Sequence, residues 1–437
     1  MIGILRERTY RHLFLAQVVA LIGTGLATVA LGLLAFDIAG GNAGRVLGIA
    51  LAIKMLAYVF VSPLAAAVVS RWPRRRVLVT LDLVRLAIAL ALPWVDAVWQ
   101  VYVLIFVLQA SSAAFTPTFQ ATIPEVLPRE RDYTRALSLS RLAYDLESLL
   151  SPLLAAALLA VVGYSTLFYG TAFGFMASAL FVVSVTLPKP ADTQSQPFRE
   201  RLTRGMRIYL ATPRLRGLLA LNLAAAAGSA MVIVNTIVMV RGQLGLPDSA
   251  VAWALAAFGA GSMLVALVLP RWLDRHGDRT PMLLGATIMA VGLLALAAAW
   301  TWWPQLRWPL LLIIWAIVGA GYAATVTPSG RLLRRSASSA DVPAVFAAQF
   351  SLSHGCWLLT YPLTGILGAS VGISVTSLTM AVLAGVGVAM ALRSWPAADP
   401  MAREHTHSRL PPDHPHLASH GAPHAHEYVI DDLHPRW

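Results

Sequence analysis

Three charged side chains interrupt one apolar stretch of the sequence, at Arg141, Asp145 and Glu147. Arg141 and Asp145 are four residues apart, so in a helix they share a face and can form an ion pair. Glu147 follows two residues later and projects to nearly the opposite side. A carboxylate in apolar surroundings is costly unless it pairs with a cation or takes up a proton. We therefore predict that Asp145 or Glu147 binds a cation or a coupling proton; alternatively, Asp145 only neutralises Arg141.

Four further polar side chains lie within apolar runs: Lys54, Gln109, Asn235 and His354. Lys54 needs an acidic or carbonyl partner there, so it either holds two helices together or takes part in coupling. Imidazole suits Ni²⁺, Zn²⁺ and Co²⁺, so His354 could bind such an ion; alternatively, it is a hydrogen-bonded core histidine. Asn235 could be a neutral ligand or a hydrogen bond between helices. Gln109 is the strongly polar side chain of its apolar run, and we predict that it also belongs to the substrate or coupling site.

The last part of the sequence is rich in histidine. It contains His405, His407, His414, His416, His420, His424, His426 and His434. Several of these residues are two apart, which places both rings on one side of an extended chain. Neutral imidazole binds Ni²⁺, Cu²⁺ and Zn²⁺, so the tract predicts a divalent-metal site. The alternative is that it binds metal only in vitro, without a physiological role.

The elements that position these groups are membrane spans. The chain has 437 residues, of which 57% are hydrophobic and 12% charged, whereas a soluble protein has about 25% charged residues. A helix needs about 20 apolar residues to cross the bilayer. We predict twelve spans, at 13–38, 46–70, 77–95, 98–118, 137–160, 164–187, 216–240, 249–272, 281–300, 307–330, 343–368 and 371–394.

The loops between the spans predict their orientation. Basic residues are concentrated in alternate loops, at Arg6–Arg11, Arg71–Arg76, Arg129–Arg135, Lys189–Arg216, Arg271–Arg279 and Arg331–Arg335. The positive-inside rule therefore places both termini in the cytoplasm. We predict two six-helix bundles, residues 1–187 and 216–394, joined by a cytoplasmic linker at 188–215. Residues 395–437 are predicted to form a disordered cytoplasmic tail, because they contain few aliphatic residues.

Two short basic loops occupy matching positions in the two halves. The second contains Asp274, Arg275, Gly277 and Arg279, and the first contains Arg71, Arg74 and Arg75, with Ser70 where an aspartate is expected. These loops resemble the signature loop of the major facilitator superfamily. The resemblance implies an all-α membrane fold and a gate at the cytoplasmic side, which Asp82 and Arg85 would join. The missing aspartate in the first copy weakens the gate there.

Two other features resemble narrower groups of that family. Arg74, Asp82, Arg85 and the Phe115-Thr116-Pro117 segment look like the drug- and siderophore-exporter branch. The arginine motif that many proton-coupled drug antiporters carry in span four is absent, and Gln109 is the polar residue of that span. The histidine-rich tail resembles nickel-resistance exporters of the same superfamily. These resemblances imply an exporter rather than an enzyme.

Three functional hypotheses follow. The first is a proton-driven exporter of a divalent metal, nickel before cobalt or zinc; the second is an exporter of drugs or other small organic molecules. The third is a non-transporting membrane sensor, which would not need two paired loops. The sequence has no Walker loop, so we expect no ATP hydrolysis. We expect a multi-pass monomer in the inner (plasma) membrane of a prokaryote, with lipid, protons and the substrate as partners, no nucleic acid and no tightly bound cofactor.

Overall fold

The computed structural model describes residues 2–61, 72–127, 157–187, 198–338, 341–399, 402–405 and 424–431, with separate positions between 129 and 155 and at 434. Most of the predicted fifth span lies outside this described part of the chain. The residues that fall outside it include Arg71, Arg141, Asp145, Glu147, His407, His414, His416 and His420.

Five helices of the first half are described: α1 (Arg8–Ala39), α2 (Ala43–Leu56), α3 (Arg74–Ala91), α4 (Val98–Val126) and α5 (Ser165–Val183). The Glu7 carboxylate caps α1 by accepting hydrogen bonds from its first free backbone N–H groups, one of them from Thr9 at 3.1 Å. A 3₁₀ turn, Gly40–Asn42, joins α1 to α2. A π-helical turn, Ala57–Val61, then continues α2.

The second half begins with a helix inside the predicted linker. The helices are α6 (Phe198–Ala211), α7 (Pro213–Ile237), α8 (Asp248–His276), α9 (Arg279–Trp302), α10 (Arg307–Val326), α11 (Ser329–Arg334), α12 (Val342–Ser370) and α13 (Ile373–Ser394). A second π-helical turn, Val238–Gln243, continues α7. Helix α6 packs on α12, where Arg204 Nε lies 2.5 Å from Asp341 Oδ1. The linker is thus partly helical and docked.

Apolar residues surround the bundle. Within the described residues, nine helical stretches are long and apolar enough to cross a membrane, and the first of them, Arg8–Val61, contains both α1 and α2. Their outer surfaces expose large apolar side chains such as Leu264, Phe173 and Val291, which is favourable only against lipid. Inside the bundle, small residues allow close approach. A Cβ atom on Gly261 of α8, for example, would overlap the carbonyl oxygen of Ala316 on α10.

The two halves meet along α2 and α12, and α7 also packs against α1 and α2. Helix α7 is the most enclosed candidate span, with 89% of its most apolar window buried. We call the end of the bundle that carries the Gly40–Asn42 turn the turn end. The opposite end, where α1 begins, is the terminal end. The close contacts between the halves lie toward the turn end, as described below.

Parts of the predicted disordered tail have defined structure. Strand β1 (Ala402–His405) pairs antiparallel with β2 (His424–Glu427). After β2 the side chains of Tyr428 and Ile430 are buried in the main hydrophobic core. The described tail residues therefore differ from the prediction, because two apolar side chains and a strand pairing stabilise a polar segment.

Candidate functional site

A small cavity lies inside the first half, between α1, α2, α4 and α5. Its polar lining consists of Thr24, Thr28, Lys54, Gln109 and Ser112. The hydroxyl groups of Thr24 and Thr28 donate to carbonyl oxygens of their own helix at 2.9 and 3.0 Å. The cavity offers about 20 Å³, which is about the room that one water molecule needs. In this state it is a contracted site with one cationic and several neutral polar groups.

Gln109 projects toward this cavity from α4. The side chain is 92% buried, and its Oε1 atom has no hydrogen-bond partner among the described residues. A buried amide oxygen without a partner costs about 1–3 kcal/mol. Such a group is stabilised when a water or a ligand donates a hydrogen bond to it. The predicted site role of Gln109 is therefore consistent with its position.

Lys54 lies in the last turn of α2, one turn before the π-helical turn. The Lys54 ammonium nitrogen lies 6.0 Å from the centroid of the Tyr58 ring, at the outer limit of a cation–π contact. π-Helical turns are rare and occur frequently at functional sites, because they change the direction in which a side chain projects. Here the turn presents Tyr58 to the second half.

Tyr58 begins an aromatic cluster that joins the two halves. Its ring stacks on His354 of α12 with 5.5 Å between centroids, and the Phe350 ring lies 4.0 Å from His354. Trp357, 6.5 Å from His354, donates its indole N–H to Ser229 Oγ of α7 at 2.9 Å. We call these four aromatic side chains, Tyr58, Phe350, His354 and Trp357, the aromatic seam.

His354 is held by its own helix. Its Nδ1 lies 2.6 Å from the carbonyl oxygen of Phe350. A carbonyl oxygen can only accept, so Nδ1 carries a hydrogen. The Sγ atom of Cys356 instead lies 3.7 Å from the Leu352 carbonyl oxygen. Among the described residues no group of three His, Cys, Asp or Glu side chains is placed to hold a metal ion.

Asn235, predicted as a site residue, lies instead in a contact between the halves. Its side chain is fully buried on α7, and its Nδ2 atom lies 3.3 Å from the Thr364 carbonyl oxygen of α12. A Cβ atom on Gly44 of α2 would lie 3.0 Å from Asn235 Oδ1. In this conformation Asn235 bridges helices at the turn end and does not line the described cavity.

Glycines bring α2 and α12 into backbone contact near Asn235. A Cβ atom on Gly48 would lie 2.5 Å from the carbonyl oxygen of Tyr361, and one on Gly365 would overlap the Gly44 carbonyl oxygen. Real Cβ atoms do not approach so closely, so these positions depend on glycine for this packing. We call Gly44, Gly48 and Gly365 the glycine contact. It closes the space between the halves at the turn end.

An ion network spans the same end. Arg241 of the second half donates to Asp37 of the first half at 2.8 Å, and its Nε lies 3.1 Å from Asp248. The guanidinium also lies 4.8 Å from the centroid of Phe36. The network reinforces the closure that the glycine contact produces.

The predicted gate residues of the first half form two separate pairs. Asp82 is fully buried and accepts hydrogen bonds from Arg85 and from Ser178 Oγ, while Arg85 lies between the rings of Phe115 and Phe175. This pair binds α3 to α4 and α5 and lies inside the first half. Nearer the terminal end, Arg74 pairs with Glu125 at 3.2 Å, and Arg75 donates to the Val183 carbonyl oxygen at 2.5 Å.

In the matching loop of the second half, Asp278 is an acid that the structure describes in contact with arginines. Asp278 is buried, and Arg331 Nε and Arg335 Nη1 lie 2.8 and 3.3 Å from its carboxylate oxygens. Arg279 donates to the Trp395 carbonyl oxygen at 3.1 Å. Gly277 has φ +66°, a conformation that favours glycine. The side chains of Asp274 and Arg275 lie outside the described part of the chain.

The structure describes some of the tail histidines, and the others lie outside the described residues. Across the β1–β2 ribbon His405 is the partner of His424, and His426 is the partner of Arg403. His434 is buried, with its Nδ1 2.8 Å from Asp431 Oδ1. His434 therefore contributes to the packing of the tail in this conformation, and its predicted role as a metal ligand stays a prediction.

Comparisons with known proteins identify the family. The sequence profile described as Major Facilitator Superfamily matches residues 13–240 and 218–421. The chain belongs to this superfamily. Its members are transporters and not enzymes, so the chain is a multi-pass membrane protein of a transporter family.

One relative and several solved structures are similar to the chain. An uncharacterised MFS-type transporter of Bacillus subtilis (strain 168), YfiS, is 23% identical over 223 residues, which are 49% of this chain and 53% of the relative. The match thus spans about half of that relative.

The solved structures support the fold alone. A bacterial homologue of the human lysosomal transporter Spinster, in an inward-facing and unoccupied conformation, has a TM-score of 0.68 at 13% identity, covering 89% of this chain and 98% of that chain. A D-xylose–proton symporter has a TM-score of 0.66 at 15% identity, covering 90% and 97%. The nucleoside transporter NupG has a TM-score of 0.64 at 14% identity, covering 87% and 98%.

Proposed function

We propose that this chain is a gradient-driven exporter of a small organic molecule, which binds between the cavity of the first half and the aromatic seam. The observation that carries this proposal is the seam itself, which joins the π-helical turn of α2 to α12 across the boundary between the halves. Aromatic rings with a few polar groups bind organic solutes well. The described lining has a cation, amide and hydroxyl groups, and no carboxylate.

Alternating access supplies the mechanism of the proposal. The halves are in contact at the turn end through the glycine contact and the Asp37–Arg241 pair. We propose that both termini face the cytoplasm, as the basic loops favour, so that the turn end is the outer side. Export then requires the turn end to open while contacts form at the terminal end. This proposal includes twelve spans and an inner-membrane location in a prokaryote. It also includes the domain boundaries 1–187, 188–215, 216–394 and 395–437.

A proton gradient is the proposed energy source, because the sequence contains no nucleotide-binding loop. Asp145 and Glu147 remain the proposed proton carriers, as the spans otherwise carry few carboxylates. We propose that the transporter acts as a monomer.

A metal substrate is the second candidate, and the register of the tail ribbon favours it. His405 and His424 are directly paired across the two strands, where Cβ atoms lie about 4.5–5.5 Å apart. Two imidazoles at this spacing are suitable for Ni²⁺, Zn²⁺ or Co²⁺. A metal on the tail would then be delivered to the transport site or would report the cytoplasmic metal concentration.

The experiment compares organic and metal efflux in cells that express the intact chain. Tyr58→Leu removes one ring of the aromatic seam. Phe60→Leu is the matched control, because Phe60 lies in the same π-helical turn but is 60% exposed on the outside of the bundle. We expect the intact chain and Phe60→Leu to lower the accumulation of fluorescent organic probes, and Tyr58→Leu to lose most of this effect at an equal membrane level.

The metal candidate is tested in the same cells with Ni²⁺, Co²⁺ and Zn²⁺. The suitable variant is the double substitution His405→Ala and His424→Ala. Removal of everything after Ser394 would also remove Trp395, which is fully buried, and would disturb the fold. Metal export that the double variant abolishes, with unchanged organic accumulation in all variants, would reverse the order of the two candidates.

A further inference from the structure

We propose that the part of the solute that enters the first-half cavity carries adjacent O–H or N–H groups, which donate hydrogen bonds to the neutral oxygen atoms of the cavity. This inference rests on the proposed function and narrows its substrate class. It is carried by an unpartnered amide oxygen, by the bonding of the hydroxyl groups around it, and by the two helices from which these groups come.

Gln109 supplies an oxygen that lacks a donor. Its side chain is buried and lines the cavity, and its Oε1 atom has no hydrogen-bond partner among the described residues. An amide oxygen accepts hydrogen bonds and cannot donate them. Because a buried acceptor without a donor is unfavourable, a solute that brings an O–H or N–H group to this oxygen is stabilised there.

The hydroxyl groups that line the cavity have already donated their hydrogens to their own helices. Thr24 and Thr28 on α1 donate to carbonyl oxygens four residues earlier at 2.9 and 3.0 Å, and Ser112 on α4 does so at 3.1 Å. A hydroxyl group has one hydrogen and two lone pairs. Each of these oxygens can therefore accept a hydrogen bond from a solute, but can donate one only by giving up its helix bond.

These oxygens come from two helices that line the same cavity. Thr24 and Thr28 are four residues apart on α1, and Gln109 and Ser112 are three apart on α4. Such spacings put each pair on one face of its helix. The cavity of about 20 Å³ has the room of about one water molecule, so a small group can bridge the two faces. A group with two adjacent donors, such as a vicinal diol, suits this arrangement.

Lys54 also lines the cavity, and it already interacts with other groups. Its charge is therefore no guide to the charge of the solute. An ammonium group only donates hydrogen bonds, so Lys54 distinguishes solutes by their acceptor atoms. Probes that share their acceptor oxygens and differ in their donors isolate the contribution of the neutral groups.

The test measures the dissociation constants of matched uncharged probes for the full chain in lipid nanodiscs, by naphthyl fluorescence, with binding to empty nanodiscs subtracted. The first probe is 3-(2-naphthyloxy)propane-1,2-diol, and the second is its dimethyl ether, which keeps every oxygen and loses both donors. The third, 2-methylbutyl 2-naphthyl ether, has the size of the diol without its hydroxyl groups. We expect the diol to bind at least about tenfold more tightly than either ether.

Three substitutions locate the selectivity. Gln109→Met removes the unpartnered oxygen and Thr28→Val removes a hydroxyl group, each at similar size. Each should reduce the preference for the diol, and the double variant should abolish it. Thr287→Val is the matched control and should leave the preference unchanged, because Thr287 makes the same kind of helix bond, at 2.9 Å, on the exposed surface of α9. Circular dichroism and gel filtration confirm that each variant is folded.

Different outcomes overturn different statements. Binding of either ether as tightly as the diol, or a preference for the diol that survives in the folded double variant, would overturn the donor inference and leave these oxygens to water. If Tyr58→Leu then weakens the probes that bind, the proposed organic exporter still stands. Failure of every probe to bind would overturn the donor inference, and tight Ni²⁺ binding by calorimetry in the same samples would overturn the proposed exporter as well.

Discussion

Gly48→Ala should open the turn end, because Gly48 is part of the backbone contact between the halves. The added Cβ atom would lie 2.5 Å from the Tyr361 carbonyl oxygen, whereas ordinary contact begins at 3.4 Å. Helices α2 and α12 must therefore separate there by about 0.9 Å. Overpacking of this kind costs about 1–3 kcal/mol, and only the closed state bears this cost. The population open at the turn end should rise about 5- to 150-fold.

The assay is a spin-label distance measurement across the turn end. Labels are attached to Asn42→Cys in the first half and Leu306→Cys in the second, both exposed, in a Cys356→Ser background. We expect Gly48→Ala to shift the distance distribution toward longer values.

Gly355→Ala provides the control for the effect of alanine itself. Gly355 lies on α12, and a Cβ atom there would meet nothing within 4 Å. Alanine stabilises a helix by roughly 0.5–1 kcal/mol relative to glycine in both variants, so the difference between them isolates the contact. Identical distance distributions for Gly48→Ala and Gly355→Ala would refute the assignment of this contact as the closed gate.

Three further predictions concern ion pairs. Arg241→Gln removes a partly exposed pair with Asp37 that is worth at most about 1 kcal/mol, so the open population in the same assay should rise only about two- to fivefold; no change would show that the pair is incidental. The hydrogen bond from Arg204 lowers the pKa of Asp341 below its ordinary 3.8. The stabilisation that this pair gives to the docking of α6 on α12 is therefore complete above pH 3.8. It is lost as the pH falls through the lowered pKa. Spin-label mobility on α6 should thus stay low at pH 5 and rise only below pH 3.8, and an increase already at pH 5 would contradict this. Asp278→Asn removes the acid that Arg331 and Arg335 share, although Arg335 keeps its contact with Asp399 at 2.8 Å, and should cost about 1–3 kcal/mol, seen as a lower Tm that Arg331→Gln in the same chain partly restores.

The broad architecture could be predicted from the sequence because apolar length and loop charge are local properties. The described helices α1, α7, α9 and α13 begin and end within a few residues of the predicted spans. Lys54 and Gln109 line the described cavity, and the sequence singled them out because a polar side chain inside an apolar run is exceptional; their role in a site stays a prediction. Asp145 and Glu147 stay predictions, because they lie outside the described residues.

The rest depended on information that no local pattern contains. Tyr58 is an ordinary residue for a membrane helix, and its role follows from a π-helical turn and from contact with α12. Asn235 has the same sequence character as Gln109, yet packing places it in a helix contact. In the second basic loop Asp278 is the described acid that pairs with arginines, and this pairing follows from contact with Arg331 of α11. In the tail, the aromatic side chain of Tyr428 was the sequence feature that indicated packing of this polar segment against the hydrophobic core.

Transport by the purified chain in proteoliposomes tests the central claim most directly. The fluxes of Ni²⁺ and of a fluorescent organic probe that the intact chain removes from cells are measured in parallel, with and without an imposed pH gradient, and the flux into protein-free liposomes is subtracted. We predict a protein-dependent flux of the organic probe that the gradient accelerates, that Tyr58→Leu abolishes and that Phe60→Leu preserves. A gradient-driven Ni²⁺ flux with no protein-dependent flux of the organic probe would contradict the account.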